Sequence, residues 1–373
     1  MIYLDYASNT PADPAVLAAF AKAEAGFPGN PGSAHGLGRL AGAEMERITA
    51  GIAGMLGVKP SEIIFTSGAS EANNLALKGL ARGSRHSGRH IISTCLEHAS
   101  VSGALTALQE QGYEIELVDI LPNGTADLKH LRELLRKDTV IVSVCMADSE
   151  LGAIQPVDEI AGILRDYPNC HLHADATQAM GKLPAGFEGI DCMSFAPHKF
   201  YGLNGCGALI KREGIVLEPL IHGGASTTIY RSGTPALALA ASMETALGLA
   251  LQERDTRFER VRGLRGRLLG ALKKYPLVRI NSPSAGSPYI VNLSVKGVKG
   301  DDFQAALDAK GVCVSVKSAC SVKGTPSRPV YAVTRDKRNA ACSWRISLSH
   351  LTTEDELESF DHIFDACYRE LTE

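Results

Sequence analysis

From residue 63 to residue 210 the chain repeats one pattern: an apolar run, a polar or reactive end, then a segment of helical spacing. Ile63-Ile64-Phe65-Thr66 ends in Ser67-Gly68-Ala69-Ser70-Glu71, and His90-Ile91-Ile92-Ser93-Thr94 leads to Glu97-His98. Val140 to Met146 runs into Asp148-Ser149, His171 to Ala174 ends at Asp175, and Met193 to Ala196 meets His198-Lys199. Strands alternating with helices predict a mostly parallel sheet between helical layers. An unbroken apolar run such as 140–146 predicts a strand covered on both faces. Gly207 to Ile210 is expected to close the sheet as a hairpin partner. In open α/β sheets, ligands bind beyond the carboxyl ends of the strands. One polar strand end is a turn; five on one rim predict an active site.

The flanks predict a second, smaller unit. Ile2 to Asp5 is expected to be a strand. Helices are expected at 14–25, after an Asp13-Pro14 cap, and at 37–56, after the glycine/proline loop 26–35. A glycine- and hydroxyl-rich loop occupies 222–235, and a helical region runs from Ala236 to Lys274. Beyond it the sequence predicts strand 289–295, helix 300–310, strand 344–348 and a last helix capped by Thr353 and Glu356. A chain of 373 residues exceeds one ordinary core. We therefore expect a large domain over 13–255 and a smaller α+β domain from 1–12 with 256–373.

Composition narrows the function. A formal net charge of -3 leaves no electrostatic footprint for nucleic acid or anionic membrane. No apolar run is long enough for a membrane span, and the opening Met1 to Asp5 lacks a signal peptide's layout. The nine cysteines form no C-x-x-C or zinc-type cluster, so no metal is expected, and a reducing cytoplasm fits them best. Cys145, Cys192 and Cys206 read as small buried hydrophobes. Cys320 stands among small, polar and basic residues, including Lys317 and Lys323, where a thiolate would be stabilised and accessible.

The strand ends hold what pyridoxal 5'-phosphate requires: an amine, an acid for the pyridine nitrogen and an anion cradle. Lys199 is the candidate Schiff-base lysine, although most lysines are solvated surface charges. Asp175 would keep the ring nitrogen protonated, or is a turn aspartate. Ala69 and Ser70 at a helix N-terminus would cradle phosphate, with His198 as a further donor. His98 would stack on the ring or shuttle protons, or is structural. Gln178 would reach the phenolic oxygen. Arg345, in an apolar strand, would grip a carboxylate in bidentate fashion or form an internal salt bridge.

Across nearly its whole length the chain resembles class V, fold type I pyridoxal-phosphate enzymes, and among them the cysteine desulfurases of the NifS/IscS kind. The resemblance is carried by Y-L-D-Y-A-S-N-T-P (3–11), G-N-P-G-S-A-H (29–35), E-I-I-F-T-S-G-A-S-E-A-N-N-L-A-L-K-G (62–79) and E-H (97–98). It continues through H-A-D-A-T-Q-A-M-G-K (173–182), H-K-F-Y-G (198–202), L-E-P-L-I-H-G-G (217–224), R-S-G-T (231–234), S-A-C-S (318–321) and R-I-S-L-S (345–349). It implies a seven-stranded, mostly parallel sheet in the large domain and the roles given above for Lys199, Asp175, Gln178, His98, Ser70 and His198. It also implies a homodimer in which Thr234 reaches the partner subunit's phosphate. Asn30 and Arg345 would contact the substrate carboxylate, and Cys320 would take sulfur from L-cysteine for delivery to an acceptor or scaffold protein. Other reactions on a small amino acid (β-elimination, selenocysteine lysis, transamination) and an inactive binding protein are the alternatives. The chain departs from the family at Asp148-Ser149, where Asn-Asn is usual and the second asparagine bonds the phenolic oxygen. It departs also at Ala196-Pro197, where a phosphate-binding serine precedes His-Lys, and at Lys317, Leu203-Asn204, Ser226-Thr227 and Ser349-His350. Asp5-Tyr6-Ala7-Ser8-Asn9-Thr10 stands where Asp-Asn-Ala-Ala-Thr-Thr is familiar.

Overall fold

The computed structural model describes residues 1–184, 186–317 and 324–373. Cys320 and Lys323 therefore lie outside the described residues. The chain opens with β1 (Ile2–Tyr3), α1 (Pro14–Gly26) and α2 (Gly36–Leu56), and Asp13 caps α1 by accepting from Ala15 N, as its Asp-Pro pair predicts. Then come β2 (Ile63–Thr66), α3 (Ala69–Gly83), β3 (His90–Thr94), α4 (Ala99–Gln109), β4 (Glu114–Val118), α5 (Leu128–Leu134) and β5 (Thr139–Cys145). α6 (Val157–Leu164), β6 (His171–Asp175), β7 (Cys192–Phe195) and β8 (Gly207–Lys211) complete this half. Among the described residues, seven strands form one sheet in the order β2-β8-β7-β6-β5-β3-β4. The run β7-β6-β5-β3-β4 is parallel, and β8 turns back antiparallel between β7 and β2. β5 is buried along its whole length, as expected of an unbroken apolar run between two helical layers.

Because β3, β5, β6 and β7 are parallel, their carboxyl ends share one edge. That edge carries His98, Ser149, Asp175 and the single turn Pro197–Lys199. The fifth strand end comes from β2 and the start of α3. Gly207 lies so close there that a Cβ on it would stand 2.6 Å from Gly68. Only a glycine permits that approach without displacing the loop.

The helical region expected as one piece is two. α7 (Leu237–Gln252) ends at Glu253, which also begins α8 (Arg254–Leu272). α7 is packed on α1 and α2 within the first core, whereas α8 lines a second core. That second core draws on Ile2, Leu4 and Ala7 as well as residues 261–367. Its strands are β9 (Val278–Ile280), β10 (Ile290–Val295), β11 (Val312–Cys313) and β12 (Ser343–Ser347), and its helices include α9 (Gly300–Ala309) and α12 (Glu354–Thr372), whereas α10 (Arg328–Thr334) and α11 (Lys337–Ala341) bury Val330 and Ala340 against Leu151 and Ala153. β1 pairs with β11 in parallel, and Asp5 bridges to Ser347. Thr353 and Glu356 close the expected capping box on α12. α6, α10, α11 and the short β9 and β11 have no counterpart in the sequence reading. Most are too short for periodicity to register.

Candidate active site

The strand ends enclose a cavity of about 400 Å³. Ala69, Ser70, His98, Ser149, Asp175, Gln178, His198, Lys199 and Arg345 all line it. Asn30 and Thr234 do not. They line a second cavity, between the 30–33 loop and the 224–235 loop.

Lys199 ends a 3-10 turn that Pro197 starts. Its Nζ donates to the carbonyl oxygens of Ala7 (2.8 Å) and Ser8 (2.6 Å). The turn is followed by Tyr201, whose φ of 69° is left-handed, a costly conformation for a bulky residue. Three contacts pin it: Thr10 Oγ1 accepts from Tyr201 N at 2.7 Å, Asp13 N donates to its carbonyl at 2.9 Å, and its hydroxyl meets Ser349 Oγ at 2.6 Å. Neighbouring His198 is pulled down to about 4 by burial, with Lys199 and Lys182 adding repulsion, so its imidazole is neutral at neutral pH.

Asp175 is held from both sides. Oδ1 accepts from Thr177 N at 2.9 Å and Oδ2 from Asn73 Nδ2 at 2.8 Å. Asn73, fully buried on α3, also donates to Ser100 Oγ at 2.9 Å and accepts from Ser194 Oγ. Ser100 Oγ lies 2.8 Å from His98 Nδ1, which accepts from Ser100 N at 3.1 Å as the N-cap of α4. With Nδ1 accepting, the proton of neutral His98 sits on Nε2. Burial lowers the pKa of this ring, the nearby Asp175 charge raises it, and Lys199 lowers it again. A hydrogen-bonded chain from His98 through Ser100 and Asn73 thus ends on the Asp175 carboxylate. Neither connecting residue was a sequence candidate. Asn73 stands inside a helix, where only a polar residue amid Ala72, Leu75 and Leu77 could have betrayed it.

Gln178 Nε2 donates to the Ala7 carbonyl at 2.9 Å, and its Oε1 accepts from Lys182 Nζ at 3.4 Å. Lys182 is itself buried, and desolvation, then Lys199 and Arg345, bring it down to about 7. Glu97 is likewise buried. Its Oε1 accepts from Cys145 N and Thr94 Oγ1, and desolvation pushes it up to about 8. Asp148 is raised to about 7 by desolvation and by Glu150, while the N–H groups of Leu151 and Glu150 oppose the shift. Sequence reading registered Asp148 only as a departure and gave Lys182 and Glu97 no role.

At the far end stands Arg345, 1% exposed on β12. Its Nη2 donates to Asp5 Oδ1 (2.8 Å) and Ser8 Oγ (2.8 Å), and Nη1 to the Ser149 carbonyl (2.7 Å). The internal salt bridge weighed as the alternative for this residue is therefore present, with Asp5, yet Arg345 still borders the cavity. Lys317, at the edge of the described segment, donates to Thr325 O and Oγ1.

The cavity suits a phosphorylated pyridine. The first-turn N–H groups of a helix lack intrahelical acceptors, and at α3 the capping residue is Gly68, with no side chain to occupy them. These N–H groups form an anion cradle at one end. A fixed carboxylate and an amine stand deeper in the same space. Such a sheet, with a rim lysine, a buried aspartate and a second smaller domain, defines a fold type I pyridoxal-phosphate enzyme.

The aminotransferase class-V family model matches residues 2–360. The cysteine desulfurase IscS of Dictyoglomus turgidum is 37% identical over 361 residues, covering 95% of this chain and 91% of that protein. A solved NifS-like protein superposes with a TM-score of 0.91 at 32% identity, covering 100% of this chain and 99% of the other. The structure of SspA in complex with cysteine gives 0.82 at 28% identity, covering 95% and 100%. The chain belongs to the aminotransferase class-V family, in its NifS/IscS cysteine-desulfurase branch. Pyridoxal 5'-phosphate is the cofactor of that family.

Proposed function

We propose that this protein desulfurates L-cysteine to L-alanine and passes the sulfur to Cys320 as a persulfide. The observation that carries the reading is the meeting of Lys199, Asp175, His98 and Arg345 around one cavity. The cysteine-bound relative supports the substrate class.

Pyridoxal phosphate, when bound, supplies a carbonyl that captures amino groups and a ring that accepts electron density. Lys199 anchors it and later exchanges a proton at the substrate Cα. Asp175 keeps the pyridine nitrogen protonated, and the Asn73 and Thr177 contacts fix where its oxygens point. The N–H groups around Ala69, with Ser70 and neutral His198, hold the phosphate, and Thr234 of a homodimer completes the cradle of the partner subunit. Gln178 and Ser149 serve the phenolic oxygen. His98 stacks on the ring, and its Nε2–H moves a proton to or from the substrate. Arg345 faces the carboxylate; Asn30, which the sequence reading paired with it, lines the second cavity and does not reach this one within the chain.

Cys320 attacks the substrate's sulfur: an S–S bond forms, the C–S bond breaks, and its electron pair stays with the three-carbon fragment that leaves as alanine. Lys317 contributes positive charge near the segment bearing the thiolate. We assign 13–255 and 1–12 with 256–373 as its two domains, the cytoplasm as its site, and a scaffold or carrier protein as the sulfur acceptor. Among the described residues no helix is long and apolar enough to cross a membrane.

Incubation with L-cysteine, following alanine, pyruvate and sulfide in wild type and Cys320→Ala, tests this reading. Alanine and a Cys320 persulfide are expected from the wild type and neither from the variant. Pyruvate at a Cys320-independent rate would replace desulfuration with β-elimination.

A further inference from the structure

Ser8 touches both ends of the site. Its carbonyl accepts from Lys199 Nζ at 2.6 Å, and its hydroxyl oxygen accepts from Arg345 Nη2 at 2.8 Å. The residue is half-buried and lines the cavity. Its placement is rigid. Ser8 N closes a turn onto the Asp5 carbonyl at 3.0 Å, and Ala7 N donates to Ser347 Oγ at 2.9 Å, on the same strand as Arg345.

The proton count decides what this hydroxyl can do. A serine hydroxyl offers one donor and two acceptor sites, and Arg345 occupies an acceptor site. Ser315 gives its own proton to Asp5 Oδ2 at 2.8 Å, so the Ser8 proton is directed at Ser315 Oγ across a long 3.4 Å contact, one it can give up for a carboxylate oxygen. The Ser8 O–H is thus a donor beside a guanidinium whose Nη groups already serve Asp5, Ser8 and Ser149. Building on the reading that the cavity takes an amino acid, we propose that Ser8 selects for the substrate's α-carboxylate, donating to it alongside Arg345. It is a positioning and specificity residue of this chain. In the family's familiar opening, alanine stands at this place, so the fold accommodates Ser8→Ala.

The test compares L-cysteine with cysteamine, the same molecule without its carboxylate. Binding to the holoenzyme is read as the initial absorbance change of the bound pyridoxal chromophore. Ser8→Ala is expected to weaken L-cysteine binding by roughly three- to tenfold and to change cysteamine less than about twofold. Ser8→Thr, which keeps the hydroxyl, should restore the wild-type ratio. Equal weakening of both ligands, or no change in either, overturns the proposal. A variant that has lost its thermal transition is replaced by Ser8→Gly, read against the same ratio. Alanine formation by the wild type is scored separately. Its absence, with the ligand ratio still shifted by Ser8→Ala, would overturn the desulfurase reading and leave this one standing.

Discussion

The two ends of the cavity are built by different means. At the cofactor end, His98, Asp175 and Lys199 follow parallel strands within about a hundred residues of chain, and each sits where its own strand stops. At the substrate end, Arg345 meets Asp5 and Ser8 across 340 and 337 positions, and Ser149 across 196. The first end is a property of a sheet edge. The second exists only when the small domain, the 5–8 turn and the β5 loop are docked together. Chemistry common to many reactions can therefore be fixed locally, while substrate choice rests on long-range assembly.

Removing the amine should have the largest effect. Lys199→Ala is expected to lower alanine formation by about 10³-fold or more and to abolish the visible band of the enzyme-bound cofactor. Its melting temperature should hold, because the Ala7 and Ser8 carbonyls it leaves can be met by water. If the band persists unchanged, the cofactor end is anchored elsewhere.

Next comes Arg345→Lys. An ammonium cannot span Asp5, Ser8 and Ser149 as the planar guanidinium does, and the site should lose about 10²-fold in kcat/KM, chiefly through KM. The chromophore should remain intact. A matching loss of chromophore would mean that the two ends are not separable.

Asn73→Ala probes the cofactor end from behind. It takes one partner each from an Asp175 oxygen and from the Ser194 and Ser100 hydroxyls, at about 2–3 kcal/mol of stability. Cofactor retention on dialysis should fall too, whereas Ser8 and Arg345 lie on other segments. Unchanged retention would show that Thr177 alone orients Asp175.

The smallest effect expected is at Glu97. Its folded pKa of about 8 lies above the ordinary 4.5, so the fold favours the protonated acid. That contribution is full below about 4.5 and disappears as pH rises through about 8. Glu97→Gln imitates the neutral acid, so its stability relative to wild type should grow by about 1–2 kcal/mol between pH 5 and pH 6.5. Paired thermal melts at the two values check the sign; a gap that shrinks with pH would contradict it.

The sequence was most legible where function coincides with a strand end. The apolar runs fix where β3, β5, β6 and β7 stop, and one parallel edge then gathers His98, Ser149, Asp175 and Lys199 without any knowledge of distance. Arg345 was legible as an anomaly, a charge in an apolar strand, but its partners were not. Nothing local in Asp5 or Ser8 says that a residue more than 330 positions away will bond them. Asn73 and Lys182 escaped for a related reason: each is polar in an otherwise apolar helical or turn segment, and only burial reveals what it serves. The break at Glu253 between α7 and α8 escaped as well, since both halves have helical spacing and the change of partner core is tertiary.

Residues 2–7 belong to the second core, with β1 clasped beside β11 and Asp5 bridged to β12. During synthesis these residues leave the ribosome well before their neighbours, which are made some three hundred residues later. The large α/β core can condense while this opening segment waits unpaired, and the arginine end of the cavity closes only when β12 arrives. A nascent chain halted before residue 343 would thus own the lysine and the aspartate but no complete place for a substrate. Competence comes as a late event in the protein's birth, set by where its first strand is sewn in.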